Sequence, residues 1–165
     1  MAADPILVDL EGELESKDPI IPEVIMEYLK RFLDSRRPGD FEQFWQSLMN
    51  EYSADYKSLP PAEKEYPACP PNHRSKQETR RVLDRLTFMP STVVPCASGG
   101  VGICFASSNK YADIQCLNSG SVIGVTSDRR GDVRTFKLKC LTDEEVDNAI
   151  SHIVRFLEIP AMQYA

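Results

Sequence analysis

Seven side chains in this 165-residue chain are the best suited to covalent or metal chemistry: Cys69, Cys96, Cys104, Cys116, Cys140, His73 and His152. A cysteine nucleophile needs a base within hydrogen-bond reach. Cys69 and His73 are the pair closest in sequence, and they carry the reading of this chain as an enzyme with an unrecognised cysteine-dependent site. A zinc site needs about four ligands. Cys69, His73, Cys96 and Cys104 are the available set, and their spacing fits no zinc-binding pattern. The glycines of "SGGVGIC" (Gly99, Gly100, Gly102) lead into a strand with no lysine after them, so they suit a turn better than a phosphate loop. Asp128 and Asp132 flank a turn, where aspartate bonds to its own backbone. No constellation calls for acid–base chemistry. We therefore expect no catalytic residue, no metal and no cofactor.

Charge is the stronger signal. The net charge is −6. Residues 1–27 hold eight acids against Lys17, which is −7 and leaves +1 for the rest. Asp9, Glu11, Glu13 and Glu15 lie in this acidic stretch and are candidate partner-binding residues. The stretch is either a solvated arm or a segment that docks on a basic partner or on a basic patch of its own chain. The counterpart is "HRSKQETRRVLDRL", with five bases and two acids. Arg74, Arg80, Arg81 and Arg85 there, with Arg129 and Arg130 on a later turn, complete the candidate interface. Phosphate contacts from these bases would make residues 74–85 a nucleic-acid site. The isoelectric point near 5.0 and the absence of a recognised motif weigh against it.

The elements that must position these residues follow from periodicity. Hydrophobic residues at 42% and charged residues at 27% fit an ordinary globular chain. No apolar run approaches the ~20 residues that span a bilayer. The early acids do not suit a secretory leader, and the odd number of cysteines without a CxxC suits reduced thiols. We expect a cytoplasmic protein with no membrane contact. Ile21, Val24, Ile25, Tyr28, Leu29, Phe32 and Leu33 recur at helical spacing, and "RPGD" should stop that helix. Asp40 with Gln43 then suggests an N-cap for a second helix bearing Phe41, Phe44, Trp45, Leu48, Met49 and Tyr52. Five prolines in residues 57–72 leave only an extended connector. Ser75 with Glu78 suggests the cap of a third helix.

From about residue 92 the period becomes two. "TVVP", "GVGICFAS", "YADIQCL", "SVIGVTS" and "VRTFKLK" read as strands of a meander. A three-residue turn at Asn118-Ser119-Gly120 would set Cys116 opposite Val122 and Ile114 opposite Gly124. The other face then receives Leu117, Ile123 and Val125, so helices are expected over parts of both faces. A closing helix carries Val146, Ala149, Ile150, Ile153, Phe156 and Leu157 on one stripe, with Thr142 and Glu145 as its capping box. His152 falls between those positions and should be exposed. The expected fold class is α+β: an N-terminal helical hairpin and an antiparallel four- to five-stranded meander packed with a C-terminal helix. Its parts are an acidic arm or edge strand (1–18), a helical hairpin (19–56), a proline-rich connector (57–73), the meander domain (74–158) and a tail (159–165), in one compact unit.

Residues 78–158, with "YADIQCLNSG", the "TSD" strand end and the closing helix ending in "FL", resemble a group of small bacterial proteins of unknown function. Gln115 stands where an acid is common in that group. The resemblance implies a bacterial, cytoplasmic α+β protein of accessory or regulatory type, and it brings no catalytic residues. The leading expectation is a non-enzymatic module with a protein partner. Nucleic-acid binding and the cysteine-dependent enzyme are the alternatives.

Overall fold

A computed structural model describes residues 23–57, 70–96, 99–128, 130–139 and 141–158. They form, in chain order, α1 (Glu23–Ser35), α2 (Pro38–Lys57), α3 (His73–Arg85), β1 (Thr92–Pro95), β2 (Gly100–Ser107), β3 (Lys110–Leu117), β4 (Val122–Asp128), β5 (Val133–Leu138) and α4 (Asp143–Leu157). The fold is α+β, with every strand antiparallel to its neighbour in the order β1-β2-β3-β4-β5. The arm of residues 1–18, most of the proline-rich connector and the tail lie outside the described residues.

In α1, Ile25, Leu29 and Phe32 make one buried stripe at helical spacing. In α2, Phe41, Phe44, Trp45 and Leu48 do the same. The two stripes meet, with the Phe32 and Phe41 rings edge-on at 5.3 Å. The turn between the helices is shorter than the sequence suggests, because only Arg36 and Arg37 connect them. Pro38 opens α2, where its missing N–H costs nothing, and this moves Asp40 from a cap into the first turn. Arg36 adopts a left-handed φ of 58°. Its guanidinium donates to the carbonyls of Leu83, Asp84 and Leu86 at the end of α3. These carbonyls lie at a helix C-terminus, where acceptors run short of intrahelical donors and a cation is favoured, although Leu83 O also accepts the Leu86 N–H.

The α3 cap is likewise displaced. Asn72, not Ser75, is the N-cap, and Ser75 sits three residues in and completes the box. Asn72 also bonds Asn118 through both backbone and side chain, so the start of α3 is tied to the β3–β4 turn. Thr142 caps α4 as expected, through its oxygen and the Glu145 N–H. The Glu145 carboxylate reaches further back and accepts the N–H groups of Lys139 and Leu141.

The meander register is the expected one: Cys116 pairs with Val122, and Ile114 with Gly124. Gly120 takes a positive φ of 93° in the turn, beside the Arg74 guanidinium. One face of the sheet presents Val93, Val101, Ile103, Phe105, Ala112, Ile114, Cys116, Val122 and Leu138, all buried in the main core. Both α3 and α4 pack on this face. Thr79, Val82 and Leu83 of α3 are fully buried, and His152 of α4 meets the Phe136 ring edge-on at 5.3 Å. Gly124 is needed there because a Cβ would overlap the Phe136 ring of the neighbouring strand. Helices over both faces were expected, but the described helices cover only one. Val82, Leu83, Val146, Ile150 and Ile153 share one core with this layer and with Ile25, Phe32, Phe41 and Phe44 of the hairpin, and Val94, Leu117, Ile123 and Val125 of the other face are not part of it.

Candidate functional site

The second face of the sheet is built from the alternate residues of the same strands. In β3 the period of two sends Ala112, Ile114 and Cys116 to the helices and Tyr111, Asp113 and Gln115 to the other side. Register brings Cys104 of β2 beside Asp113, and Thr92 of β1 beside Cys104. Gly102 lacks a side chain, and Cys96 uses the space: its Sγ lies 3.5 Å from where a Gly102 Cβ would stand. Val94, Leu117, Ile123 and Val125 are half-buried around this polar centre.

Asp113 is only 8% exposed although it is ionisable and on the face that no described helix covers, the helix-free face. Tyr111 donates its hydroxyl to Asp113 Oδ2 at 2.8 Å, and Gln115 Nε2 donates to Oδ1 at 3.2 Å. Tyr111 Oη also lies 3.3 Å from Cys104 Sγ. Burial raises the Asp113 carboxyl above its ordinary range, against the pull of these two hydrogen bonds. Burial also pushes the Cys96 thiol up to about 11, with the charge of Asp113 adding to the effect. It pushes Cys104 up to about 12, opposed by the Tyr111 hydrogen bond. Tyr111 is raised too, mainly by burial and by its anionic neighbours. Among the described residues, the Thr92 Oγ1 is buried with no hydrogen-bond partner.

This arrangement is poor in nucleophiles and rich in recognition groups. The thiolate is the reactive form of cysteine, and both thiols here are protonated at neutral pH. The carboxylate has acceptor capacity to spare. A carboxylate offers about four lone-pair sites, of which two are engaged.

The charged residues singled out from sequence are dispersed. Asp9, Glu11, Glu13, Glu15 and Arg129 lie outside the described residues. Arg85 makes a two-pronged bond to Asp147 of α4, at 2.8 and 2.6 Å, and lies 3.9 Å from Asp143. That bond holds the Asp147 carboxyl below its usual range. Arg81 is 3.7 Å from Asp143. Arg80 is 3.8 Å from Asp84 and sits over the rings of Phe32 and Phe41, at 5.9 and 5.5 Å. Lys76 pairs with Glu42 at 2.8 Å. The basic helix therefore meets acids of α2 and α4 rather than presenting an open row of cations. Arg74 is exposed at the far end of α3, and Arg130 is exposed on the β4–β5 turn with its N–H on Asp128.

Of the thiol readings, Cys69 and Cys140 lie outside the described residues, and His73 is exposed at the start of α3. Among the described residues, no three His, Cys, Asp or Glu side chains converge as a metal site, and no helix is long and apolar enough to cross a membrane. Tyr111, Asp113, Gln115 and Thr92 are not among the candidate residues that the sequence suggests. The available signal was an aspartate inside an alternating strand, a position where aspartate is depleted. Comparison with protein-family models, with curated proteins and with solved structures returns no match for this chain.

Proposed function

We propose that this chain is a protein-interaction module of regulatory or accessory type, and that its partner docks on the helix-free face of the sheet around Asp113. The observation that carries the reading is the burial of an ionisable side chain on a face that no described helix covers. A charge kept from water in this way costs free energy unless it is matched. A fold that retains one at the centre of a half-apolar face has the composition of a binding hot spot: a polar anchor within a ring of desolvated neighbours. The raised thiols support recognition over nucleophilic catalysis. The resemblance of residues 78–158 to small bacterial proteins supports a bacterial, cytoplasmic setting.

The test is site-specific photocrosslinking in cells with the full chain. A photoreactive residue in place of Ile123, on the helix-free face, is expected to trap one discrete protein. The same group in place of Asn148, on the outer side of α4, is expected not to. Trapping from Asn148 alone would overturn the assignment of this face.

A further inference from the structure

We propose that the group received at Asp113 is a guanidinium, so that the partner presents an arginine flanked by apolar residues. This rests on the reading of the helix-free face as the recognition surface and adds the chemistry of what it recognises.

Three features of the face select that group. The first is charge. Asp113 has no cationic partner among the described residues. Lys137 shares the face but stands two strands away, paired with Ile123, which is paired with Gln115. A cation from outside would remove the cost of the buried carboxylate. The upward shift of the Asp113 carboxyl agrees with a site built for a counter-ion it does not yet have.

The second feature is the fork. Tyr111 and Gln115 occupy one lone pair on each carboxylate oxygen, from the two sides along the strand. One acceptor site therefore remains on each oxygen. Two parallel acceptors on one carboxylate match the two parallel N–H groups of arginine better than the compact ammonium of lysine.

The third is the surroundings. Tyr111 remains 38% exposed as a residue beside the carboxylate, and guanidinium groups stack on aromatic faces. The half-buried Val94, Ile123 and Val125 suit an apolar flank. The Thr92 hydroxyl, buried and unpaired among the described residues, offers a further bonding position on the same face.

The experiment is a titration of the isotope-labelled full chain with argininamide, followed by nuclear magnetic resonance, with citrullinamide and lysinamide as controls. Citrulline keeps the shape of arginine and loses the charge. Argininamide is expected to give saturable shifts at Cys104, Tyr111, Asp113 and Gln115. Binding should fall about tenfold or more with citrullinamide, because hydrogen bonds to a charged group carry most of the contact. Asp113→Asn should cause the same loss. If that variant fails to fold, the citrulline comparison on the parent chain stands alone. Equal binding of citrullinamide would overturn the guanidinium while leaving the face as a docking surface. Equal binding of lysinamide would overturn the fork. No shift on this face at saturating argininamide would also overturn the inference, and the crosslinking result would then decide the face independently.

Discussion

The two faces of the sheet are made from alternate residues of the same five strands, and they solve different problems. On the helix side, Ile103, Ile114 and Val122 are fully buried, and Gly124 leaves room for the far end of the Phe136 ring. On the other side, the same register lines up Thr92, Cys104, Asp113 and Val125, with hydroxyl, thiol and carboxylate next to aliphatic carbon. The first set is chosen for shape. The second is chosen for chemistry that packing does not need. Strand periodicity alone separates them, so one residue of register slip would exchange a core for a recognition surface.

That contrast can be broken in several ways. The largest effect is expected from Ile114→Ala on the helix side. Loss of a fully buried branched side chain should cost about 2–5 kcal/mol in urea unfolding. A loss near zero would mean that the helices do not pack on the sheet as described. Gly124→Ala is next. The new methyl group must displace the Phe136 ring, which should cost about 1–3 kcal/mol. The penalty should shrink when Phe136→Ala is added, since the two sites are in contact. Additive losses would place the strain elsewhere.

The smallest effect has the opposite sign and belongs to the other face. Burial raises the Asp113 carboxyl, so the folded protein holds that proton to higher pH than the unfolded chain does. Below the ordinary carboxylate range both states are protonated and the group is neutral in effect. As pH rises through that range toward the raised folded value, the unfolded chain ionises first and stability falls. Asp113→Asn should remove this decline. The variant should match the parent in acid and exceed it at neutral pH, by less than the two losses above. A gap that opened in acid instead would contradict the burial of this carboxylate.

Much of the fold could be read from particular residues. The Asn118-Ser119-Gly120 turn set the pairing of Cys116 with Val122, because a short turn with glycine at the left-handed position leaves little choice of register. Thr142 identified the start of α4. Asn72 and Ser75 were harder to separate, since both are good capping residues and they stand one capping interval apart. What covers the second face was not legible for a different reason. Leu117, Ile123 and Val125 are as apolar as a helix-covered face requires, and alternation does not say whether the cover is a helix or another molecule. The candidate site was hidden by the same ambiguity. Asp113 is one residue in "YADIQ", and only the register with Cys104 and the bonds from Tyr111 and Gln115 make it a centre.

The Arg36 guanidinium, spread over the last carbonyls of α3, has a consequence for how the molecule opens. The α1–α2 hairpin cannot swing away without stripping the donors from these α3 carbonyls, and α3 cannot fray at that end without releasing the hairpin. Two segments far apart in sequence thus belong to one cooperative breathing unit, and their slowest-exchanging amide protons should report a single shared opening free energy.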